Sequence, residues 1–384
     1  MDTKKHEPLV QDLIELIKAN GWEKIFEDGL KKGCSYGIPQ MEAVTTLDKY
    51  FDWLDNELTW APIDNPEGRV IYDHLCMFNF ILDQEPIKQL QNPVKPRDKE
   101  APLTPLSAWM VRFCNGLNKF MDTPESLTPA TLETFKNSPL YNIDEYEYPR
   151  GGWKTFNQLF ARVPKPGKRP IAAIADPSVI VSPADSTFAG QWEIRADSHV
   201  DIKGLDWEIE ELLQGTGYEH AFEGGIFCHA FLNSYDYHRQ HAPVPGKVLV
   251  AKTIPGTCYV DVIPGPDPNY PNTPTGFRMR RTFDAPDVGG YEFMQSRGCV
   301  IIDSPIGLVA ALPIGMGEIS SVVITCEVGQ TLQKGDQIAY FQYGGSDMVY
   351  VFQQQSNVCI TAQPGVHYKV GRAIGQAYPV IKRW

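Results

Sequence analysis

The sequence contains no long apolar run and no excess of positive charge. Its longest apolar candidates, Leu75–Leu82 and Ile306–Met316, fall well short of the about 18 residues that a membrane-spanning helix requires. Charges lie on both sides of the apolar residues at the N-terminus, which is not the pattern of a signal peptide. A formal net charge of −12 argues against a nucleic-acid partner and against docking on anionic lipid. We therefore expect a soluble, cytoplasmic protein without stable membrane insertion.

Cysteine pairs with the spacing of a metal or redox site are absent as well. The eight cysteines are scattered through 384 residues, and no C-x-x-C motif occurs. Zinc sites need closely spaced ligands, so we predict no metal. Reduced thiols of an intracellular protein fit this pattern better than a disulfide framework does.

The first 148 residues predict a helical N-terminal domain. Apolar residues recur at helical spacing over residues 9–17, and Asn20-Gly21 is typical of a helix end. A second helix is predicted over Pro105–Phe120. Thr128-Pro129 predicts the start of a third helix, with proline at its first position.

Residues 149–384 predict a second, mostly β domain, so that the whole chain is expected to be α+β. Short β-branched runs, separated by glycine and proline, indicate a sandwich or barrel-like arrangement of strands. These runs are Val179–Val181, Lys247–Ile254, Cys299–Ile302, Leu308–Leu312, Ser321–Glu327, Gln337–Gln342 and Met348–Gln353. The segment Pro264–Gly276, rich in proline, asparagine and glycine, predicts a long loop that is either a functional lid or a surface insertion.

One candidate for chemistry is Ser346, which follows Gly344-Gly345 between two predicted strands. A hairpin turn would explain the two glycines, because they accept the positive φ angles of tight turns. The alternative is chemical: the serine hydroxyl attacks the carbonyl of Gly345, and elimination and hydrolysis then leave a pyruvoyl group. Such a step needs a base for the hydroxyl and a group that orients the base.

Candidates for these two groups lie earlier in the chain. His238 and His241 stand three residues apart in the segment Phe231–Pro243 and can serve as bases near neutral pH. A core or surface histidine pair, or a metal site, would also explain them. Asp185 follows a predicted strand, where a buried carboxylate could hold an imidazole in one tautomer. By itself it would be an ordinary turn residue.

Taken together, these segments resemble the phosphatidylserine decarboxylase family, whose members cut themselves at Gly-Ser. The resemblance extends from about Gly152 to Gly375 and rests on Thr155–Arg162, Lys165–Ile171, Ser182–Asp185, Asp236–Pro243 and Gly344–Ser346. The D-Y-H-R-x-H motif in Asp236–His241 is the most specific of them. The chain departs from the family pattern at Gln295–Arg297, which puts nearby substrate contacts in doubt.

The resemblance implies a role for each matched residue. Ser346 would supply the pyruvoyl group and Gly345 the attacked carbonyl, so the pyruvoyl group replaces pyridoxal phosphate as the cofactor. His241 would be the base in self-cleavage and Asp185 its orienting carboxylate. His238 would assist decarboxylation of a substrate held as a Schiff base.

The resemblance also bears on substrate and assembly. The processing site Phe341–Ser346 and the helical N-terminal region are similar to those of the branch that includes tryptophan decarboxylases. We therefore expect a free L-amino acid, with an aromatic one favoured, as the small-molecule substrate, and a homodimer is compatible with the family. Phosphatidylserine is the alternative substrate. A non-enzymatic binding module with an inert Gly-Gly-Ser turn is the second alternative.

Overall fold

The computed structural model describes residues 5–96, 102–266, 281–286, 289–316, 322–343 and 345–380. In these residues α1–α7 precede the strands and the short α8 lies among them: α1 Pro8–Asn20, α2 Glu23–Ser35, α3 Leu47–Glu57, α4 Arg69–Leu82, α5 Pro105–Met121, α6 Pro129–Asn137, α7 Phe156–Phe160 and α8 Ile209–Leu212. The strands are β1 Val179–Val181, β2 Ser186–Glu193, β3 His199–Ile202, β4 Leu205–Glu208, β5 Ile226–Leu232, β6 Arg239–His241, β7 Gly246–Ile254, β8 Ile263–Pro266, β9 Arg281–Asp284, β10 Arg297–Ser304, β11 Gly307–Met316, β12 Val322–Ile324, β13 Thr331–Leu332, β14 Gln337–Phe341, β15 Gly345–Phe352, β16 Val358–Ile360, β17 His367–Tyr368 and β18 Ala373–Ala377.

Local signals set the ends of the N-terminal helices. Helix α1 ends at Gly21, whose left-handed conformation (φ 66°) is one that glycine adopts without strain. Helices α5 and α6 each begin with a proline at the first position, and the side chains of Thr104 and Thr128 accept a backbone N–H bond there. The three predicted helices are confirmed.

An eight-stranded antiparallel sheet forms the centre of the second half of the chain. Its strand order is β13-β7-β10-β11-β15-β5-β2-β17, and within the described residues it does not close into a barrel. The predicted α+β class is confirmed, with the sheet left open rather than closed. None of the helices in the described part of the chain is long and apolar enough to cross a membrane.

Strand β15 lies in the middle of this sheet and is buried on both faces. Met348 and Tyr350 belong to one hydrophobic cluster, whereas Val349 and Val351 belong to another on the opposite face. Since successive strand residues point to opposite faces, Ser346 lies on the side of Met348 and its neighbour Asp347 on the side of Val349.

The turn expected at Gly344-Gly345 is not a β-hairpin. Strand β14, which precedes it, pairs with β12 and β6, whereas β15 pairs with β11 and β5. The two strands therefore belong to different sheets, and the chain crosses from one sheet to the other just before Ser346. The hairpin interpretation of the glycine pair is wrong for this reason.

Helices α1–α5 pack against the β region through a shared core. Phe80 of α4 meets Phe283 of β9 edge to face, with ring centroids 5.2 Å apart. A second cluster joins Met121 of α5 to residues of the large sheet. The boundary between residues 148 and 149 stays a prediction, and the hydrophobic contacts run across it. Most of the predicted loop Pro264–Gly276 lies outside the described residues, while 264–266 belong to β8.

Candidate functional site

Ser346 occupies the second position of β15, next to the end of the large sheet. In the strand register it lies between Gly315 of β11 and Leu232 of β5, and its side chain is fully buried. Its Oγ lies 3.2 Å from Nδ1 of His238. A buried serine hydroxyl after two glycines thus has an imidazole within hydrogen-bond distance.

The contacts of His238 fix its tautomer. Its Nε2 lies 3.3 Å from the carbonyl oxygen of Ser234, which can only accept, so Nε2 carries the proton and donates. Nδ1 is then free to accept from the hydroxyl of Ser346. The ring stacks on Phe160 with centroids 3.8 Å apart. Burial lowers the pKa of His238 to about 3, and the nearby Arg162 cation acts in the same direction. His238 is therefore a neutral proton acceptor at pH 7.

His241 has a different set of partners. Its Nδ1 donates to the carbonyl oxygen of Gly335 at 2.7 Å, and its Nε2 accepts from the hydroxyl of Tyr237 at 2.9 Å. Burial lowers the pKa of His241 to about 4, although the Gly335 contact opposes this. Residues three apart in an extended segment point to opposite sides, so the two imidazoles diverge. Among the described contacts, His238 is the histidine that contacts Ser346, and His241 does not contact it.

Asp185, which directly precedes β2, is buried and bound to an arginine rather than to an imidazole. Both of its oxygens accept from Arg169, at 2.9 Å and 2.6 Å, and Oδ1 also accepts from the N–H of Val370 at 2.8 Å. Burial raises the pKa of Asp185, while the ion pair with Arg169 opposes that shift. The expected pairing of Asp185 with His241 is not found among the described contacts. A bidentate salt bridge to Arg169 occupies both oxygens of Asp185 instead.

Arg169 nevertheless lies between the two predicted residues. Its guanidinium carbon is 5.5 Å from the ring centre of Tyr237, and the hydroxyl of Tyr237 donates to His241. Asp185 and His241 are thus joined through Arg169 and Tyr237. Arg169 and Tyr237 both lie within the segments that resemble the family, but the sequence pattern assigned neither of them a role. An arginine sixteen residues before a buried aspartate was the available signal.

A second buried cluster includes Asp347, the residue that follows Ser346. His229 of β5 is fully buried between two carboxylates, with Nε2 3.2 Å from Oδ2 of Asp347 and Nδ1 3.4 Å from Oε1 of Glu292. Both carboxylates are also fully buried, and burial raises the pKa of Glu292. An imidazolium at His229 would donate toward both. The sequence analysis missed this group, although Asp347 follows Ser346 directly.

Comparison with known proteins identifies the family of this chain. The model of the family described as phosphatidylserine decarboxylase matches residues 156–376, which contain all four predicted catalytic residues. Because that match covers more than half of the chain, the protein belongs to the phosphatidylserine decarboxylase family. The membership predicted from the sequence is confirmed.

Several relatives share this region. The chain is 34% identical over 213 residues to phosphatidylserine decarboxylase proenzyme 3 of Schizosaccharomyces pombe, a match that covers 55% of this chain and 20% of the relative. It is 32% identical over 240 residues to proenzyme 2 of Oryza sativa, covering 62% and 35% of the two chains. It is 24% identical over 250 residues to L-tryptophan decarboxylase of Psilocybe cubensis, covering 62% and 54%. The chain thus spans only a fifth to about half of the length of these three relatives.

Proposed function

We propose that this chain is the precursor of a pyruvoyl-dependent decarboxylase that cuts itself between Gly345 and Ser346. The contact that carries the proposal is the 3.2 Å approach of Ser346 Oγ to the unprotonated Nδ1 of His238. The residues present fit the pyruvoyl group, because the serine that would become it is buried, follows a glycine and has a neutral imidazole at its hydroxyl. Family membership supports the same reading.

The self-cleavage balances as follows. The hydroxyl oxygen of Ser346 attacks the carbonyl carbon of Gly345, its proton passes through a base to the Ser346 nitrogen, and the peptide C–N bond breaks to leave an ester. Loss of the Ser346 α-proton then expels the Gly345 carboxylate. The remaining unsaturated residue takes up water and releases ammonia, which leaves a pyruvoyl group on the nitrogen of Asp347. That group, once formed, supplies the electron sink for loss of carbon dioxide from a bound amine substrate.

The roles of the histidines remain part of the proposal. We assign proton exchange during decarboxylation to His238, which already lies at the residue that would form the cofactor. We keep His241 as the base of self-cleavage, with Asp185 acting on it through Arg169 and Tyr237. For this, the Tyr237 hydroxyl has to leave His241 Nε2, which it occupies here.

Intact mass spectrometry of the purified protein tests self-cleavage. We expect a large fragment, Met1–Gly345, and a fragment of 39 residues that begins with the pyruvoyl group. The variants Ser346→Ala and His241→Ala should stay full length, while His238→Ala should be cut and inactive. If His238→Ala stays uncut and His241→Ala is cut normally, the contact seen here is the base contact and our assignment of the two histidines is wrong. An active wild-type protein of one intact chain would refute self-cleavage and favour other chemistry, whereas an intact and inactive one would favour a binding module.

For the substrate we propose a free L-amino acid, with an aromatic one favoured. The similarity to L-tryptophan decarboxylase of Psilocybe cubensis supports this choice. The relatives named phosphatidylserine decarboxylase support phosphatidylserine as the second candidate. Release of carbon dioxide should be measured with tryptophan, tyrosine, phenylalanine and phosphatidylserine vesicles in parallel. Turnover of the vesicles alone would exclude the free amino acid.

A further inference from the structure

A cavity opens where helix α4 of the N-terminal region meets the end of strand β5. Its accessible volume is about 40 Å³, the space of a few water molecules, and it continues into an open mouth. The walls are mainly apolar and aromatic, and α4 supplies three of the twelve residues that define them. Those that matter here are Tyr72, Leu75 and Cys76 of α4, and Phe231, Val260 and Tyr291 from the β region.

The cavity adjoins the predicted cleavage site through the end of β5. Leu232, which also lines it, is the register partner of Ser346, and such partners lie about 4.5–5.5 Å apart between their Cα atoms. Ser234 lines it too, and its carbonyl oxygen accepts the hydrogen bond that sets the tautomer of His238. A substrate amine that reached the group formed from Ser346 would therefore have its side chain beside this cavity.

Helix α4 is held firmly as a wall of the cavity. The hydroxyl of Tyr72 accepts from the N–H of Ala285 at 2.7 Å. Arg69, at the start of the helix, donates to the hydroxyl of Thr282 at 2.9 Å and to the carbonyl of Phe283 at 3.0 Å. These bonds tie α4 to strand β9 and the residue after it, so that this wall of the cavity is held in place.

We propose that this cavity holds the side chain of the substrate and selects an aromatic amino acid. Three rings, those of Tyr72, Phe231 and Tyr291, surround an apolar space, and aromatic side chains pack well against each other edge to face. The enclosed space is small and opens on one side, so an aromatic ring would lie between these rings and extend into the open mouth, whereas two acyl chains of a phospholipid need a longer open surface. Helix α4 lies outside residues 156–376, so the selecting wall comes from a part of the chain that the family match does not include.

The inference rests on the proposed function, and its test separates the two. Leu75→Trp fills the cavity from the α4 side. Each variant is first checked for self-cleavage by intact mass, and kcat and KM are then measured with L-tryptophan and L-alanine. We expect normal cleavage and a fall of kcat/KM for L-tryptophan of about 10- to 200-fold, mostly through KM, since pocket contacts of this kind are worth that much. The value for L-alanine should change less than threefold.

The matched control is Leu16→Trp, the same substitution at a partly buried leucine of α1 that does not line the cavity. It should keep the tryptophan-to-alanine ratio of the wild type. If Leu75→Trp does not fold, Val260→Phe narrows the cavity from the opposite wall and takes its place. Normal cleavage with an unchanged ratio in the filled variant would overturn the pocket assignment, as would a cleaved wild type that acts on neither amino acid. An uncut wild type would overturn the proposed function itself.

Discussion

Acid should destabilise the uncut protein because two histidines at the site are buried as neutral imidazoles. The pKa of His238 is lowered from 6.5 to about 3, and that of His241 to about 4. Below pH 6.5 the unfolded chain binds a proton at each position while the folded chain does not. The stability that depends on these two neutral imidazoles is therefore fully present above pH 6.5. The free energy of unfolding falls as the pH drops from 6.5 toward 4.

The size of the effect follows from these values. Between pH 7.5 and 5.5, one histidine that titrates at 6.5 when unfolded and stays neutral when folded removes about 1.4 kcal/mol of stability. Together His238 and His241 remove about 2.7 kcal/mol on the same basis. His367 acts in the opposite direction, because the Asp236 carboxylate raises its pKa. A comparison between variants separates these contributions.

The measurement is urea unfolding at pH 7.5 and 5.5 in a Ser346→Ala background, which keeps the chain uncut. Adding His238→Leu should reduce the difference between the two pH values by about 1.4 kcal/mol, whatever its effect at either pH alone. Adding Leu205→Ala, at an exposed leucine that does not titrate, is the control and should keep the parent difference. The reasoning fails if the His238 variant retains the full pH dependence, or if the His238 resonances titrate near pH 6.5.

Two other buried charged groups give further tests. Asp347→Asn removes one of the two carboxylates around His229, and we expect a loss of about 3–5 kcal/mol in urea unfolding, as for other broken buried pairs. A loss below 1 kcal/mol would mean that Asp347 and His229 do not form a stabilising ion pair. Arg169→Met leaves the buried Asp185 without its cation and should cost a similar amount, with part of it recovered in the double variant Arg169→Met/Asp185→Asn. Purely additive losses would show that this ion pair contributes nothing.

Much of the fold could be predicted because its signals are local. The apolar spacing over residues 9–17, the glycine at position 21 and the threonine–proline starts at 104–105 and 128–129 define helices whose ends the structure confirms. The predicted runs Val179–Val181 and Lys247–Ile254 correspond to β1 and β7. The hairpin interpretation of Gly344-Gly345 was wrong because a glycine pair shows that the chain bends, and not which sheet its two flanking strands join.

The sequence by itself determined the helical and β halves and the family, and it singled out the serine, histidine and aspartate proposed for the chemistry, because each depends on neighbouring residues or a short motif. Only the tertiary structure decided that His238 contacts Ser346, that Asp185 binds Arg169, and that α4 borders a cavity beside the partner strand of Ser346. These contacts join residues 16 to more than 100 positions apart. Strand register and side-chain direction create them, and a sequence pattern does not specify either across such distances.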